Sequence, residues 1–331
     1  MNQKPFAVKI PVAALSPAMP ECVAVIVNAT GNDSLTDSLN SLYPLSDYRV
    51  YITEPGVNQL EATIAHCNEI GLKTIVLCGQ TLPDLSNLLA SNGIGVSLIS
   101  AGDTTDGFNL VDFISTSENI SDFSHIGYQI YKYNPNLLRS LRDKFFEDMR
   151  LGALRNDITL SEPLIRSKQY VFADLKSVRI SDYPANSDNS PNGLYAEELC
   201  QLARYIGMNQ YLKSFLFFGF PSDAEQSSTT SQLVAEVLWH LVEGIAANIS
   251  EDPSDKSTEE KFIKKIVSLG EDGQDIVFVT SISTARWWME VPQIKEGINQ
   301  YIPCSHQDYL TAFNGEIPMR WLFFFQKINP F

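Results

Sequence analysis

The sequence predicts an α/β protein with three layers, in which helices cover both faces of a mainly parallel, doubly wound sheet. Between residues 22 and 100, short apolar runs rich in β-branched residues alternate with stretches of helical periodicity. The run CVAVIVNA at residues 22–29 is almost continuously apolar, which is typical of a strand buried on both faces. Strands that alternate with helices imply right-handed crossovers, and therefore parallel strands.

The first half of the chain contains four strand-like segments and two helical ones. We expect strands over residues 22–29, 48–53, 73–79 and 95–100, and helices over 57–70 and 82–90. The helix over 57–70 places Leu60, Ile64 and Cys67 on one face. No Gly-x-Gly-x-x-Gly or Walker-type loop follows any of these strands, which argues against a nucleotide site.

The second half continues the same alternation after a less regular stretch. We expect helices over 135–149 and 160–168, a strand from Tyr170 to Asp174, a helix that ends near Met208, a strand over 214–219, a helix over 228–249 and a strand over 275–282. The polar segment 250–260 interrupts this pattern, but a strand-like run follows it. We therefore expect a single domain over 1–331, with an N-terminal extension over 1–21 and an aromatic-rich C-terminal tail over 283–331.

Composition and charge exclude several classes of function. The net charge of −15 and the pI near 4.7 disfavour binding to nucleic-acid phosphates or to anionic membranes. No apolar run is long enough for a signal sequence or a membrane helix. The five cysteines are odd in number and widely spaced, as expected for free thiols in a reducing compartment. We expect a cytoplasmic protein with no nucleic-acid or membrane partner.

The segment 170–208 carries the most specific motif. It comprises a strand that ends at Asp174, a polar loop with Pro184 and the turn Pro191-Asn192-Gly193, and an amphipathic helix. This arrangement resembles the last metal-binding motif of the arginase/agmatinase/formiminoglutamase (ureohydrolase) family, whose strand carries two metal-binding aspartates separated by one residue. Asp174 matches the first aspartate, whereas Lys176 stands in place of the second. A lysine ammonium has no lone pair, so it cannot bind a metal.

The resemblance implies the arginase/ureohydrolase fold and, in its active members, two manganese ions that generate a hydroxide for attack on an amidine carbon. At the other motif positions the side chains differ from the family's. In the family's first motif, a metal-binding histidine follows a strand, and Thr81 stands at that position. In another family motif, a glutamate helps to bind the amidine group, and Phe218 stands at that position. Ser100, Gly102 and Thr104 occupy the three ligand positions of the family's Asp-Ala-His-x-Asp motif. Asp174 is thus the one ligand-type residue retained.

Four further aspartates leave a second interpretation open. Asp103, Asp106, Asp182 and Asp188 lie in loops near these motifs, where they are either relocated ligands or ordinary solvated and capping residues. His125, in a strand-like stretch, is similarly either a structural histidine or a ligand.

Two functions follow from these alternatives. The first is a divergent arginase-like protein without a binuclear metal site or any other cofactor, with a binding, regulatory or scaffolding role. The second is a hydrolase of C–N bonds in linear amidines such as formiminoglutamate, with an altered Mn²⁺ site. In both, the expected partners are a small amidine or amino-acid-like ligand and further copies of the chain. The aromatic residues Trp287 and Trp288 and the segment 320–331 are either core or a subunit contact.

Overall fold

The computed structural model describes residues 5–30, 34–103, 106–221, 228–269 and 275–329. The chain forms two compact units, the first comprising Met1–Leu138 and Asp148–Asn248 and the second comprising Arg139–Glu147 and Ile249–Phe331. Each unit has a hydrophobic core of its own.

Nine strands form the larger sheet within the described residues. They are β1 (Ala7–Lys9), β2 (Cys22–Asn28), β3 (Arg49–Thr53), β4 (Thr74–Leu77), β5 (Ile94–Ile99), β6 (Ile120–Tyr128), β7 (Glu147–Arg150), β8 (Tyr170–Asp174) and β9 (Ser214–Phe218). Their order is β1-β3-β2-β4-β9-β8-β5-β6-β7, and the neighbouring strands from β1 to β6 in this order are parallel.

Helices cover both sides of this sheet, so the predicted three-layer α/β fold is confirmed. They are α1 (Ser34–Asn40), α2 (Leu60–Glu69), α3 (Leu110–Thr116), α4 (Pro135–Asp143), α5 (Leu151–Asn156), α6 (Glu162–Ile165), α7 (Ala196–Gly207) and α8 (Ser228–Ala246). The adjacent strands β4, β9, β8 and β5 lie at the centre of the sheet. The loops after their carboxyl ends carry the residues that the sequence marks as functional, and ligands of open α/β sheets bind at such an edge.

The segment 82–90 is not the predicted helix. Leu82 forms an isolated β-bridge with Gly107, and the residues that follow are turns. The Asp84 side chain accepts a hydrogen bond from the backbone N–H of Ser86, and the backbone N–H of Leu88 donates to Glu61. These side-chain acceptors satisfy backbone donors that a helix would otherwise pair internally.

The predicted helices over 135–149 and 160–168 are shorter than expected. The first, α4, ends at Asp143, and Phe145 then adopts a left-handed conformation with φ of 56° that a helix cannot continue through. The chain proceeds into β7. In the other segment, a 3₁₀ turn at Ile158–Ser161 leads into α6, which has a single turn.

The predicted N-terminal extension and C-terminal tail both contain regular structure. Residues Ala7–Lys9 form β1 and pair with β3 at the edge of the larger sheet. The second unit contains an antiparallel sheet of β10 (Phe262–Ser268), β11 (Asp275–Ser281), β12 (Trp287–Gln293) and β13 (Ile298–Cys304), with helices α9 (His306–Phe313) and α10 (Met319–Ile328). Trp288 and Trp321 are buried. Within the described residues, no helix has the length and apolar content needed to cross a bilayer.

Helices α7 and α8 approach each other closely through two glycines. A Cβ atom placed on Gly207 would lie 2.1 Å from the carbonyl oxygen of Leu241. A Cβ atom on Gly244 would lie 2.4 Å from the carbonyl oxygen of Arg204. Because both obstacles are backbone atoms, neither can rotate aside, and an added methyl group must push the helices apart.

We therefore expect Gly207→Ala to lower the free energy of unfolding by about 1–3 kcal/mol, the usual range for overpacking a core. Urea unfolding followed by far-UV circular dichroism measures this change. Gly152→Ala in α5 is the control, because its added Cβ meets nothing within 4 Å. The control is expected to change stability by less than about 1 kcal/mol, in the stabilising direction. Equal losses in both variants would contradict the close approach.

Candidate functional site

Asp174 ends β8 and is almost completely buried. One carboxylate oxygen accepts a hydrogen bond of 2.9 Å from the backbone N–H of Lys176, which caps the 3₁₀ turn Leu175–Ser177. Burial raises the pKa of Asp174 to about 7, and the nearby Asp188 and Asp106 carboxylates add to this rise against the opposing effect of Lys176. Space for the carboxylate depends on Gly219, where an added Cβ would lie 2.3 Å from the Asp174 oxygen.

Lys176 pairs its ammonium group with two carboxylates, those of Asp106 and Asp188, and only 9% of its side chain is exposed. Its Nζ lies 2.5 Å from Asp106 and 3.7 Å from Asp188. Burial acts to lower the pKa of Lys176, but the interactions with Asp106, Asp174 and Asp188 outweigh it and hold that pKa above its ordinary value. Lys176 is therefore positively charged, and we call these four residues the Lys176 cluster.

Polar contacts fix the loop that carries Asp188. The side-chain amide of Asn186 donates to the backbone carbonyls of Lys176 at 2.9 Å and Val178 at 2.7 Å. Asp188 also lies 3.6 Å from the Lys132 ammonium, in the loop after β6. The same two loops meet again where Gln129 donates to the carbonyl of Asn192 and accepts from its side-chain amide. The loop that carries Asp188 and the loop after β6 are therefore held together by hydrogen bonds and an ion pair beside the Lys176 cluster.

The end of β5 is closed by its own hydrogen bonds. The Ser100 hydroxyl donates to the carbonyl of Gly102 at 2.6 Å, so it accepts from Nε2 of His125 at 2.8 Å. Nδ1 of His125 in turn accepts from the Tyr133 hydroxyl at 3.1 Å. Burial lowers the pKa of His125 to about 3, which keeps the ring neutral. Both ring nitrogens are used within the core, as a structural histidine requires.

Gly102 lies against the backbone of the loop after β6. A Cβ atom at this position would be 2.5 Å from the carbonyl oxygen of Lys132. A histidine, or any other side chain, therefore cannot be accommodated at residue 102 without moving that loop.

The structural comparisons show a clear likeness to known proteins. Formiminoglutamase from Trypanosoma cruzi superposes with a TM-score of 0.61 and 14% identity, covering 72% of this chain and 99% of its own. Formimidoylglutamase from Bacillus subtilis gives a TM-score of 0.55 and 14% identity, covering 70% of this chain and 90% of its own. An arginase superfamily protein from T. cruzi gives 0.58 and 13%, covering 72% and 99%. The chain has the arginase fold. No protein-family model and no curated protein sequence matches it.

Within this arginase fold, the predicted site residues separate into two groups. Asp106 and Asp188 join Asp174 and Lys176 at the strand ends. Asp103 instead accepts a hydrogen bond of 2.7 Å from the backbone of Asn134. Asp182 pairs with Arg179 at 2.8 Å and accepts from the backbone N–H of Ala196, the first residue of α7. These two aspartates have structural partners.

The remaining predicted positions supply no ligand. Phe218 is completely buried at the end of β9, so its ring cannot stack on a bound molecule in this conformation. Thr81 is exposed, and Thr104 lies outside the described residues. Within the part of the chain that the structure describes, no group of three or more His, Cys, Asp or Glu residues is arranged to hold a metal ion.

The residues present do not fit the pair of manganese ions that active members of the arginase family use. The carboxylates of Asp106 and Asp188 pair with an ammonium group that would repel a divalent cation. The position of one family ligand is Gly102, where there is no space for a side chain. Sequence reasoning missed Lys132, Asn186 and Gly219, which position the cluster. The only sequence signal for them was polar residues and a glycine in loops that follow strands.

Proposed function

We propose that this protein uses the arginase fold as a binding or regulatory scaffold and does not hydrolyse amidines through a binuclear manganese site. One observation carries the proposal: the Lys176 ammonium, held among Asp106, Asp174 and Asp188, supplies the positive charge that these carboxylates need. The Lys176 ammonium takes the place of a bound metal cation, so the carboxylates at the strand ends need no metal to balance their charge.

The energetics support this interpretation. The Lys176 side chain is only 9% exposed, whereas Asp106 and Asp188 are 56% and 43% exposed, so removing the carboxylates would leave a desolvated ammonium uncompensated. A manganese ion that displaced Lys176 would have to leave the ammonium without its carboxylates. It would also gain few ligands, since Gly102, Phe218 and Ser100 offer no anionic donor. The cluster is therefore better matched to the lysine than to a metal.

A second candidate function is hydrolysis of linear amidines at an altered metal site. It is favoured by the position of Asp106 and Asp188 close to Asp174 at the strand ends, since carboxylate oxygens suit manganese. Solved structures of T. cruzi formiminoglutamase with Mn²⁺ are among those similar to this chain. This function requires Lys176 to leave the carboxylates.

We further propose that the protein forms homo-oligomers in a reducing compartment such as the cytoplasm. None of the five cysteines forms a disulfide within the described residues. Several large apolar side chains of the second unit are exposed, including Ile266 and Phe313 at 68% each, and exposed apolar surface commonly marks an interface. Light scattering on the purified protein measures the mass directly, and a monomer at all concentrations would contradict the oligomer.

The test of the main proposal combines metal analysis with an activity assay. The protein is incubated with MnCl₂, desalted and analysed for bound manganese, and release of urea, formamide or ammonia is assayed with amidine substrates that include formiminoglutamate. We expect neither stoichiometric manganese nor turnover. Stoichiometric manganese together with turnover would overturn the proposal and establish the second candidate.

A further inference from the structure

A groove on the solvent side of α7 and α8 has the features of a ligand site. It has a volume of about 980 Å³. On α7, the residues that line the groove recur at each helical turn. They form two adjacent rows: Ala196, Cys200 and Arg204 in one, and Glu197, Gln201 and Tyr205 in the other. Helix α8 contributes Glu236 and His240, and the loop before α7 completes the lining.

Arg204 is the anomaly in this groove. Its side chain is half-buried, yet within the described residues its guanidinium makes no hydrogen bond and no ion pair. Other arginines that are half-buried or buried each pair with a carboxylate: Arg49 with Glu21, Arg155 with Glu198, Arg166 with Glu162, Arg286 with Glu251 and Arg320 with Glu147. Partly buried charges normally have such partners because desolvation is costly. In a chain of net charge −15, a half-buried guanidinium without a direct ion-pair partner points to an anion supplied from outside.

His240 lies beside Arg204 and offers a neutral hydrogen-bonding group. Burial, assisted by the charge of Arg204, lowers the pKa of His240 below its ordinary value, so the ring is uncharged at neutral pH. Within the described residues the imidazole makes no hydrogen bond, and its one ring contact is with Trp239 at 4.9 Å. It can therefore donate to or accept from a ligand without adding charge.

The rim of the groove carries the opposite charge. Glu197 and Glu236 are exposed carboxylates on the two facing helices. Glu236 accepts a hydrogen bond from Gln232 at 3.0 Å and forms no ion pair in the described part of the chain. The groove thus presents a cation on its wall and anions at its edge, and Tyr205 adds an aromatic ring to its lining.

We propose that this groove binds a zwitterionic α-amino acid. The carboxylate of the ligand pairs with Arg204, whose guanidinium presents two parallel N–H donors suited to it. The ammonium group faces Glu236, and an apolar side chain contacts the Tyr205 ring, because the Tyr195 ring is already covered by Arg155 at 4.2 Å and Arg179 at 4.0 Å. This site lies on the helices rather than in the Lys176 cluster, so it does not depend on whether that cluster binds manganese.

The test uses three probes that share one skeleton and differ in charge. Isothermal titration calorimetry is performed with L-phenylalanine, 3-phenylpropanoate, which lacks the ammonium, and phenethylamine, which lacks the carboxylate. We expect saturable binding of L-phenylalanine and at least about tenfold weaker binding of the other two, about 1.4 kcal/mol for each lost charge pair. No binding of L-phenylalanine, or equal binding of all three, would overturn the proposal.

Variants locate the binding in the groove. Arg204→Met and Glu236→Gln are each expected to weaken L-phenylalanine binding at least about tenfold. Glu236 is exposed, so Glu236→Gln tests the groove even if Arg204→Met unfolds. Arg150→Met, at an exposed arginine outside the groove, is the control and should bind as the wild type does. Wild-type affinity in both groove variants would place any binding elsewhere and contradict the assignment.

Discussion

Lys176→Met is expected to lower the free energy of unfolding by about 2–4 kcal/mol at pH 8. This loss is smaller than the full cost of breaking a buried ion pair, because the Asp106 side chain is partly solvated. Methionine keeps the apolar stem of the lysine and removes its charge. The carboxylates of Asp106, Asp174 and Asp188 then repel one another without the ammonium that holds them. Urea unfolding monitored by far-UV circular dichroism measures the loss.

The matched control for this change is Lys9→Met. Lys9 pairs with Glu54 at 3.1 Å, but both side chains are more than 40% exposed, at 42% and 43%. Such surface pairs contribute about 0–1 kcal/mol. A Lys176→Met loss no greater than that of the control would show that the ammonium does not stabilise the strand ends.

Compared with the wild type, Asp174→Asn is expected to stabilise the protein more at high pH than at low pH. Burial raises the pKa of Asp174 from 3.8 to about 7, so between these values the folded state holds a proton that the unfolded state has lost. The wild type therefore loses stability as the pH rises from about 4 to 7, and asparagine, which does not titrate, removes this loss. The stability difference between variant and wild type should grow by about 3–4 kcal/mol from pH 4 to pH 8.

Asp84→Asn provides a control of opposite sign. Asp84 is exposed, and hydrogen bonds from Ser86 lower its pKa. Its contribution to stability is therefore present above the unfolded-state pKa, and asparagine should remove it at high pH. Urea titrations at several pH values measure both variants. A pH-independent difference for Asp174→Asn would contradict the burial of a titrating carboxylate there.

The fold could be predicted largely from the apolar runs. β2, β3, β5 and β9 lie close to their predicted positions because strands buried on both faces are apolar at nearly every residue. The helix predicted over 82–90 was wrong because Leu82, Leu85 and Leu89 have helical spacing, although each is buried without forming a helix. The spacing of apolar residues indicates which side chains are buried. It does not indicate which hydrogen-bond acceptors the backbone N–H groups contact. The contacts of Asp84 and Glu61 with that backbone depend on the folded chain.

The site was predictable only in part. The spacing of Asp174 and Lys176 on one strand end identified the centre of the cluster, because adjacent positions stay together in any fold. Asp106 contacts Lys176 across 70 residues of sequence, and four aspartates were equally eligible as its partner. Asp182 instead forms an ion pair with Arg179, three residues before it in the sequence. The obstruction at Gly102 comes from Lys132, in a loop that no motif marked.

The most direct test of the central claim is a crystal structure grown with excess MnCl₂, with an anomalous difference map recorded at the manganese edge. The lysine-for-metal arrangement predicts no anomalous peak at the strand ends and a Lys176 Nζ within about 4 Å of the carboxylates of Asp106 and Asp188, the range of an ion pair. Anomalous peaks beside Asp174, with Lys176 turned away from the carboxylates, would contradict it.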